Sequence, residues 1–162
     1  PVLARHAVPD DWRFLLVVPG GEGQSGETED DSMRTAVERA DPAIADELST
    51  LLVRRLLPAL AAGDREAFGA AVGEFGRLNG AWYADEQGGV YRPPAGELVA
   101  ALGDSPAVTG VGQSSWGPTV YGVTDRANAG AAREAADAAL DEAGVRGEVR
   151  VVRGRNEGAR FR

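Results

Sequence analysis

The residues most able to do chemistry lie together in Thr109-Gly110-Val111-Gly112-Gln113-Ser114-Ser115-Trp116-Gly117-Pro118-Thr119-Val120-Tyr121. Glycines and two adjacent serines sit here between two β-prone runs, residues 107–109 and 119–123, so the stretch reads as strand, glycine-rich loop, strand. Glycine lets a backbone approach a ligand or another backbone closely and permits φ > 0. Successive N–H groups in such a loop form a concavity for an anion. The stretch has no Gly-Lys-Ser/Thr ending and no helix directly after it, which excludes a Walker loop and a Rossmann turn. Two readings remain open at this point: a tight connection between antiparallel strands, or a loop that holds a ligand.

Other candidate groups are few. His6 is the single histidine and there is no cysteine, so disulfide and thiol chemistry are excluded and a zinc site would have to be built from carboxylates, which zinc does not favour. Glu22, Glu27, Glu29, Asp30 and Asp31 crowd one polar stretch, but not at EF-hand spacing, and read as a solvated acidic loop. His6 reads as a surface or linker residue. Trp116 is an aromatic side chain set directly between the two serines and Gly117.

The chain has 162 residues, one domain's worth, and is 43% hydrophobic, enough for a proper core. Its 25 acidic residues face 17 basic ones, every one of them arginine, for a net charge of −8. That balance argues against non-specific nucleic-acid binding. An acidic chain without lysine fits a halophilic archaeon. No apolar run reaches membrane-spanning length and no signal peptide is visible, so the expectation is a cytoplasmic protein without a membrane partner.

These groups need elements to hold them. The apolar run 12–18, ended by Pro19-Gly20, predicts a buried central strand. Residues 20–31 predict a polar loop and 32–39 a short helix. Asp41-Pro42 starts a helix with Asp as N-cap, carrying Ile44, Leu48, Leu51, Leu52, Leu56 and Leu60 on one face and kinked by Pro58 near Arg54. Gly63 stops it and Asp64 caps the next, in which Phe68, Val72, Phe75, Leu78 and Trp82 form the strongest amphipathic stripe. Residues 86–94 predict a loop with Gln87-Gly88-Gly89 at its tip, and 95–102 a helix ending at Gly103. After the glycine stretch, Asp125 caps a helix with a small-residue face of Ala129, Ala132, Ala136, Ala139, Leu140 and Ala143, ended by Gly144; residues 145–152 form a last strand. The order β, several α, β, β, α, β is that of an α+β ferredoxin-like sandwich with extra helices in its first crossover. The domain spans residues 12–153, after a leading segment or linker (1–11) and before a basic tail (154–162) that frays.

The run Gly-x-Gly-x-Ser-Ser-x-Gly-Pro-Thr resembles the third motif of the GHMP kinase superfamily, and its wording is most similar to β-ribofuranosylaminobenzene 5′-phosphate synthases. Pro19-Gly20-Gly21-Glu22-Gly23-Gln24-Ser25-Gly26 with Glu29, Leu57-Pro58-Ala59-Leu60 and Gln87-Gly88-Gly89-Val90-Tyr91 resemble the same family, so the likeness extends from about Trp12 onward. It implies the ferredoxin-like C-terminal half of a two-half protein. The phosphate loop of the N-terminal half is not in this sequence, and that missing half is the implied partner, with a homodimer as a further candidate. It implies that Ser25, Gly26, Gly110, Gly112, Gln113, Ser114, Ser115 and Gly117 contact a phosphorylated small molecule in the cleft between halves, with Trp116 a pocket wall or a packing residue. The implied reaction is decarboxylating transfer of a phosphoribosyl group from phosphoribosyl pyrophosphate to a 4-substituted benzoate, in methanopterin-type pterin biosynthesis. Mg²⁺ is implied in the complete enzyme, none in this chain, which alone is expected to be inactive. Two other classes stay open: an ATP-dependent GHMP small-molecule kinase, and a non-catalytic ligand-sensing domain of ferredoxin-like fold.

Overall fold

A computed structural model of the chain describes residues 1–2, 4–20, 27–39 and 41–159. Four strands, β1 (Trp12–Pro19), β2 (Thr109–Gln113), β3 (Val120–Asp125) and β4 (Gly147–Val152), form one sheet in the order β2-β3-β1-β4. All neighbours are antiparallel, with Leu15 opposite Gly122 and Val151, and Leu16 opposite Tyr121 and Arg150. This is the predicted ferredoxin-like topology: β1 is central because its run is apolar on both faces.

Side chains alternate across a strand, and the two faces of β1 meet different helices. Leu15 and Val17 are fully buried with Val120 and Val149 under helices α6 (Ala95–Gly103) and α7 (Ala129–Glu142). Helix α7 contributes Ala132, Ala136, Ala139 and Leu140, whose short side chains bring the helix close to the sheet; α6 contributes Leu98 and Leu102. On the opposite face Trp12 packs against Phe68 of helix α4 (Arg65–Trp82), with ring centroids 4.9 Å apart and the planes tilted by 48°. Helix α4 therefore covers the second face of the sheet, where a plain two-layer sandwich would leave it open.

Several boundaries differ from expectation. Helix α1 runs over Glu27–Arg39, so it begins five residues before the expected start and takes in residues 27–31 that were read as loop. Helix α2 (Pro42–Leu51) starts as predicted, with Asp41 accepting from the Ala43 N–H at 2.9 Å. Pro58 does not break the helical run beyond α2. A π-helical segment, Leu52–Leu56, leads directly into α3 (Leu57–Ala62), and the wider turn accommodates a proline that cannot donate to Arg54. Gly63 ends α3 at φ 68°, and Asp64 caps α4 through the Ala67 N–H at 3.0 Å. The expected loop 86–94 starts inside a single-turn helix, α5 (Ala84–Gln87), so Gln87, expected at the loop tip, ends the helix and Gly88 caps it at φ 84°. Asp125 is not the cap of α7. The N-cap is Asn128, and Asp125 instead accepts from the Asn128 backbone N–H and side-chain amide while pairing with Arg65 at 3.2 Å. The tail is tied down rather than free as far as Asn156, whose amide accepts from Val8 N–H at 2.8 Å and donates to Val8 C=O at 2.9 Å.

Candidate functional site

The largest correction concerns the glycine stretch itself. Gly110, Val111 and Gly112 belong to strand β2, and the loop proper is residues 114–119. The space beside the first two glycines is filled by protein. A side chain at Gly110, which sits at φ +60°, would meet the backbone of Gly69 in helix α4, with its Cα 2.7 Å away. One at Gly112 would meet the ring of Tyr121, whose Cζ lies 2.7 Å away. Gly69, Gly73 and Gly76 recur on one face of α4 and all meet β2 or Tyr121. The close approach that the sequence reserves for these glycines is helix on strand. The predicted apolar stripe of α4 is a different face: Phe68, Val72, Phe75 and Leu78 are half-buried, whereas Gly69, Ala71 and Gly80 are buried.

Beyond the strand, the chain turns tightly. Ser114 N–H donates to Thr119 C=O and Gly117 N–H to Ser114 C=O, both at 2.9 Å, so two of the loop's amides close the turn and are not offered to a ligand. Ser115 sits at φ +51°, in the left-handed region, and Gly117 at φ +68°. The side chains of Ser114 and Ser115 are exposed, and among the described residues the N–H groups of Ser115 and Trp116 have no acceptor.

Gln113 holds this loop in place. Its Oε1 accepts from Arg92 N–H at 2.6 Å; its Nε2 donates to Ser115 C=O at 2.8 Å and to Gln87 Oε1 at 3.0 Å. Gln87 in turn donates to Val90 C=O at 2.8 Å and Gly80 C=O at 3.2 Å. Gly117 leaves room for this glutamine: a Cβ there would come 2.9 Å from Gln113 Cδ. The Gln113 amide, expected to meet substrate, is engaged on both its oxygen and its nitrogen by the protein.

The loop forms one wall of a cleft of about 100 Å³. The end of α4 supplies another wall, because Gly76, Asn79, Gly80 and Tyr83 follow at helical spacing along one face. Trp116 is 4% exposed and packs edge-on against Tyr83 at 5.1 Å, and it lines the cleft, so it is both wall and packing residue. Tyr91, Gln113 and Ser115 also reach the cleft; Ser114, Gly110, Gly112 and Gly117 do not line it. Ser25 and Gly26 lie outside the described residues. Burial pushes the Tyr91 hydroxyl up from its usual range, opposed by Arg77. It pushes Tyr121 up as well, with Tyr91 adding to the effect, so both stay neutral at physiological pH. Asn79 and Tyr83 were not singled out by motif reasoning, and the spacing 76, 79, 80, 83 was their one legible signal; Tyr91 ends the run 87–91 that resembles the family but was given no role at the site.

Residues 56–142, just over half of the chain and including the whole glycine stretch, match the family described as GHMP kinases C terminal. The chain belongs to that family. This GHMP C-terminal domain is 30% identical, over 98% of its length, to a β-ribofuranosylphenol 5′-phosphate synthase of Methanothermobacter thermautotrophicus. It has the same 30% identity and 98% coverage with a protein of that name from Archaeoglobus fulgidus. It spans about half of those relatives, 46% and 47% of their lengths. In structure it is similar to a homoserine kinase of Cytophaga hutchinsonii (TM-score 0.65, 16% identity, 93% of this chain and 44% of that one). A phosphomevalonate kinase of Streptococcus pneumoniae is similar too (TM-score 0.61, 14% identity, 88% and 41%). These likenesses at low identity support the GHMP domain's fold.

No group of three or more His, Asp or Glu among the described residues is placed to hold a metal ion, and the residues lining the cleft include no carboxylate. No helix among the described residues is long and apolar enough to cross a membrane.

Proposed function

We propose that the chain works as the C-terminal half of a decarboxylating phosphoribosyltransferase, a β-ribofuranosylaminobenzene or -phenol 5′-phosphate synthase. The observation that carries this is the 30% identity over nearly the whole chain to two synthases so named. The cleft agrees with it. Its lining is aromatic and neutral-polar, suited to a flat ring.

The reaction balances without a general base. The ring carbon that bears the carboxylate attacks the anomeric carbon of phosphoribosyl pyrophosphate, and pyrophosphate leaves with the electron pair of the broken C–O bond. Breakage of the ring–carboxylate bond then releases carbon dioxide and returns its electron pair to the ring. Loss of carbon dioxide takes the place of proton removal, consistent with the absence of a histidine or carboxylate in the cleft lining. Ser114 and Ser115, with the N–H groups of Ser115 and Trp116, are the donors that meet a phosphate at the cleft edge. Mg²⁺ and the cationic partners of pyrophosphate belong, on this reading, to the other half of the complete protein, and the 162-residue chain alone has no turnover.

The test supplies a protein of the relatives' full length with phosphoribosyl pyrophosphate and carboxyl-labelled 4-hydroxybenzoate or 4-aminobenzoate. Labelled carbon dioxide with stoichiometric pyrophosphate is expected. Ser114→Ala or Ser115→Ala should each cost on the order of 1.5–3 kcal/mol in kcat/KM at unchanged melting temperature. Formation of ADP from ATP and an alcohol, with no carbon dioxide, would replace this reading with a kinase.

A further inference from the structure

The cleft contains two kinds of amide. Gln87 and Gln113 are bonded to each other and to the backbone, and hold the walls together. Asn79 also lines the cleft, yet among the described residues its side chain makes no hydrogen bond. It stands one helical turn before Tyr83, whose ring meets Trp116, and one turn after Gly76, whose missing side chain leaves room for the Tyr121 hydroxyl. Asn79 is half-buried and, among the described residues, its amide is committed to no protein partner, so it is the cleft amide that a ligand can meet.

The size and charge of the space narrow the ligand. At about 100 Å³ the cleft, which is open to solvent, has room for no more than part of one six-membered ring, since an enclosed apolar cavity of about 150 Å³ accepts a whole benzene. No charged side chain lines it, so pyrophosphate and the acceptor's own carboxylate find no cationic partner inside and must stay outside the cleft, with only the uncharged end of the ring entering. A neutral amide suits a neutral hydroxyl or amino group, because it both accepts and donates.

We propose that Asn79 is the residue that reads the acceptor: the ring lies against Tyr83, Tyr91 and Trp116, and the Asn79 amide hydrogen-bonds its 4-hydroxyl or 4-amino group. This rests on the phosphoribosyltransferase reading. It has a chemical consequence. The 4-substituent lies para to the attacking carbon and feeds electron density to it, so an amide oxygen that accepts the substituent's hydrogen strengthens that donation. Asn79 fixes which end of the ring points inward and assists the carbon that must form the new bond.

The test has two arms. In the first, the isotopically labelled 162-residue chain is titrated with 4-hydroxybenzoate, 4-aminobenzoate, unsubstituted benzoate and cyclohexanecarboxylate, and resonances are followed by NMR. The Asn79 side-chain amide and the Trp116 indole N–H should shift with the first two ligands. Those ligands should bind about tenfold tighter than benzoate, the discrimination of one satisfied hydrogen bond. Cyclohexanecarboxylate should not bind. In Asn79→Leu, at unchanged melting temperature, the preference over benzoate should fall to about one. Absence of an Asn79 shift, or a preference that survives in Asn79→Leu, overturns the assignment. The second arm measures kcat/KM for labelled carbon dioxide release by the full-length protein, for both substrates, with Asn79→Leu and Asn79→Asp. Undiminished release by Asn79→Leu overturns the role of Asn79 while leaving the reaction intact. Ring binding governed by Asn79, without carbon dioxide release by the unaltered protein, upholds the ring site and overturns the reaction.

Discussion

Gly110 of the motif strand rests against Gly69 of helix α4 so closely that neither position has room for a side chain. The consequence is mechanical. With no side chains between them, helix and strand meet backbone to backbone, and the C-terminal end of α4, with Asn79 and Tyr83, is brought beside the loop that comes after the strand.

Gly110→Ala should therefore cost more than a left-handed glycine costs by itself. Gly63 is the control, at φ 68° with nothing near its missing side chain. Gly63→Ala should lose about 1–2 kcal/mol from backbone strain alone. Gly110→Ala should lose about 2–5 kcal/mol, adding the overpacking term. Urea denaturation of the two variants measures the difference; equal losses would show that α4 simply moves away.

Gln113 should act through the loop it holds. Gln113→Leu removes the partner of Arg92 N–H, Gln87 Oε1 and Ser115 C=O, with an expected loss of about 2–4 kcal/mol. Gln113→Glu has a sharper signature, because an ionised carboxylate would face two acceptors. Its folded-state pKa should rise above the ordinary value of about 4.3. The penalty is then full at pH 7 and shrinks as pH falls through that raised pKa. Denaturation at pH 7 and pH 4.5 tests this; a penalty that grows on acidification contradicts the bonding described.

Asp125 should give the opposite dependence. Burial alone would raise its pKa, but hydrogen bonds from Asn128 and the Arg65 guanidinium outweigh that and hold the carboxyl below its usual range. A depressed pKa means stability that is present above the unfolded value and lost as pH falls through the folded one. Asp125→Asn leaves Arg65, whose Nη1 is already buried without a partner, facing no anion. It should cost about 1.5–3 kcal/mol at pH 7, and the gap from the unaltered chain should narrow as pH falls below the ordinary carboxylate range and through the depressed folded-state pKa. Chemical denaturation across pH 2–7 measures it.

Salt should stabilise the fold. With a net charge of −8 and no lysine, carboxylate repulsion acts across the molecule where the Debye length is about 30 Å, at about 0.01 M salt. The melting temperature by circular dichroism should rise from dilute buffer to molar KCl; an equal or lower midpoint in KCl would contradict it.

Local chemistry was legible in the sequence. The apolar run of β1, the Asp41 and Asp64 caps, the glycine stop at Gly63 and the alanine face of α7 each depend on residues near in the chain, and the element order they give defines the ferredoxin-like sheet. Likewise, the glycines at 110 and 112 announced a close approach, since that is a backbone property. What approaches them was not legible. Gly69 and Tyr121 arrive only when α4 crosses the sheet, and a glycine's sequence context is the same whether a ligand or a helix fills the space beside it. The same limit separated the amides. Gln113 was expected to meet a ligand and Asn79 was not singled out, and only tertiary contacts place the first in a network with Gln87, Arg92 and Ser115 and leave the second, among the described residues, without a protein partner at the cleft. Hydrogen bonds between residues 26 apart in the chain, such as Gln113 to Gln87, leave no periodicity to read, so the division of labour at this site is a property of the folded chain.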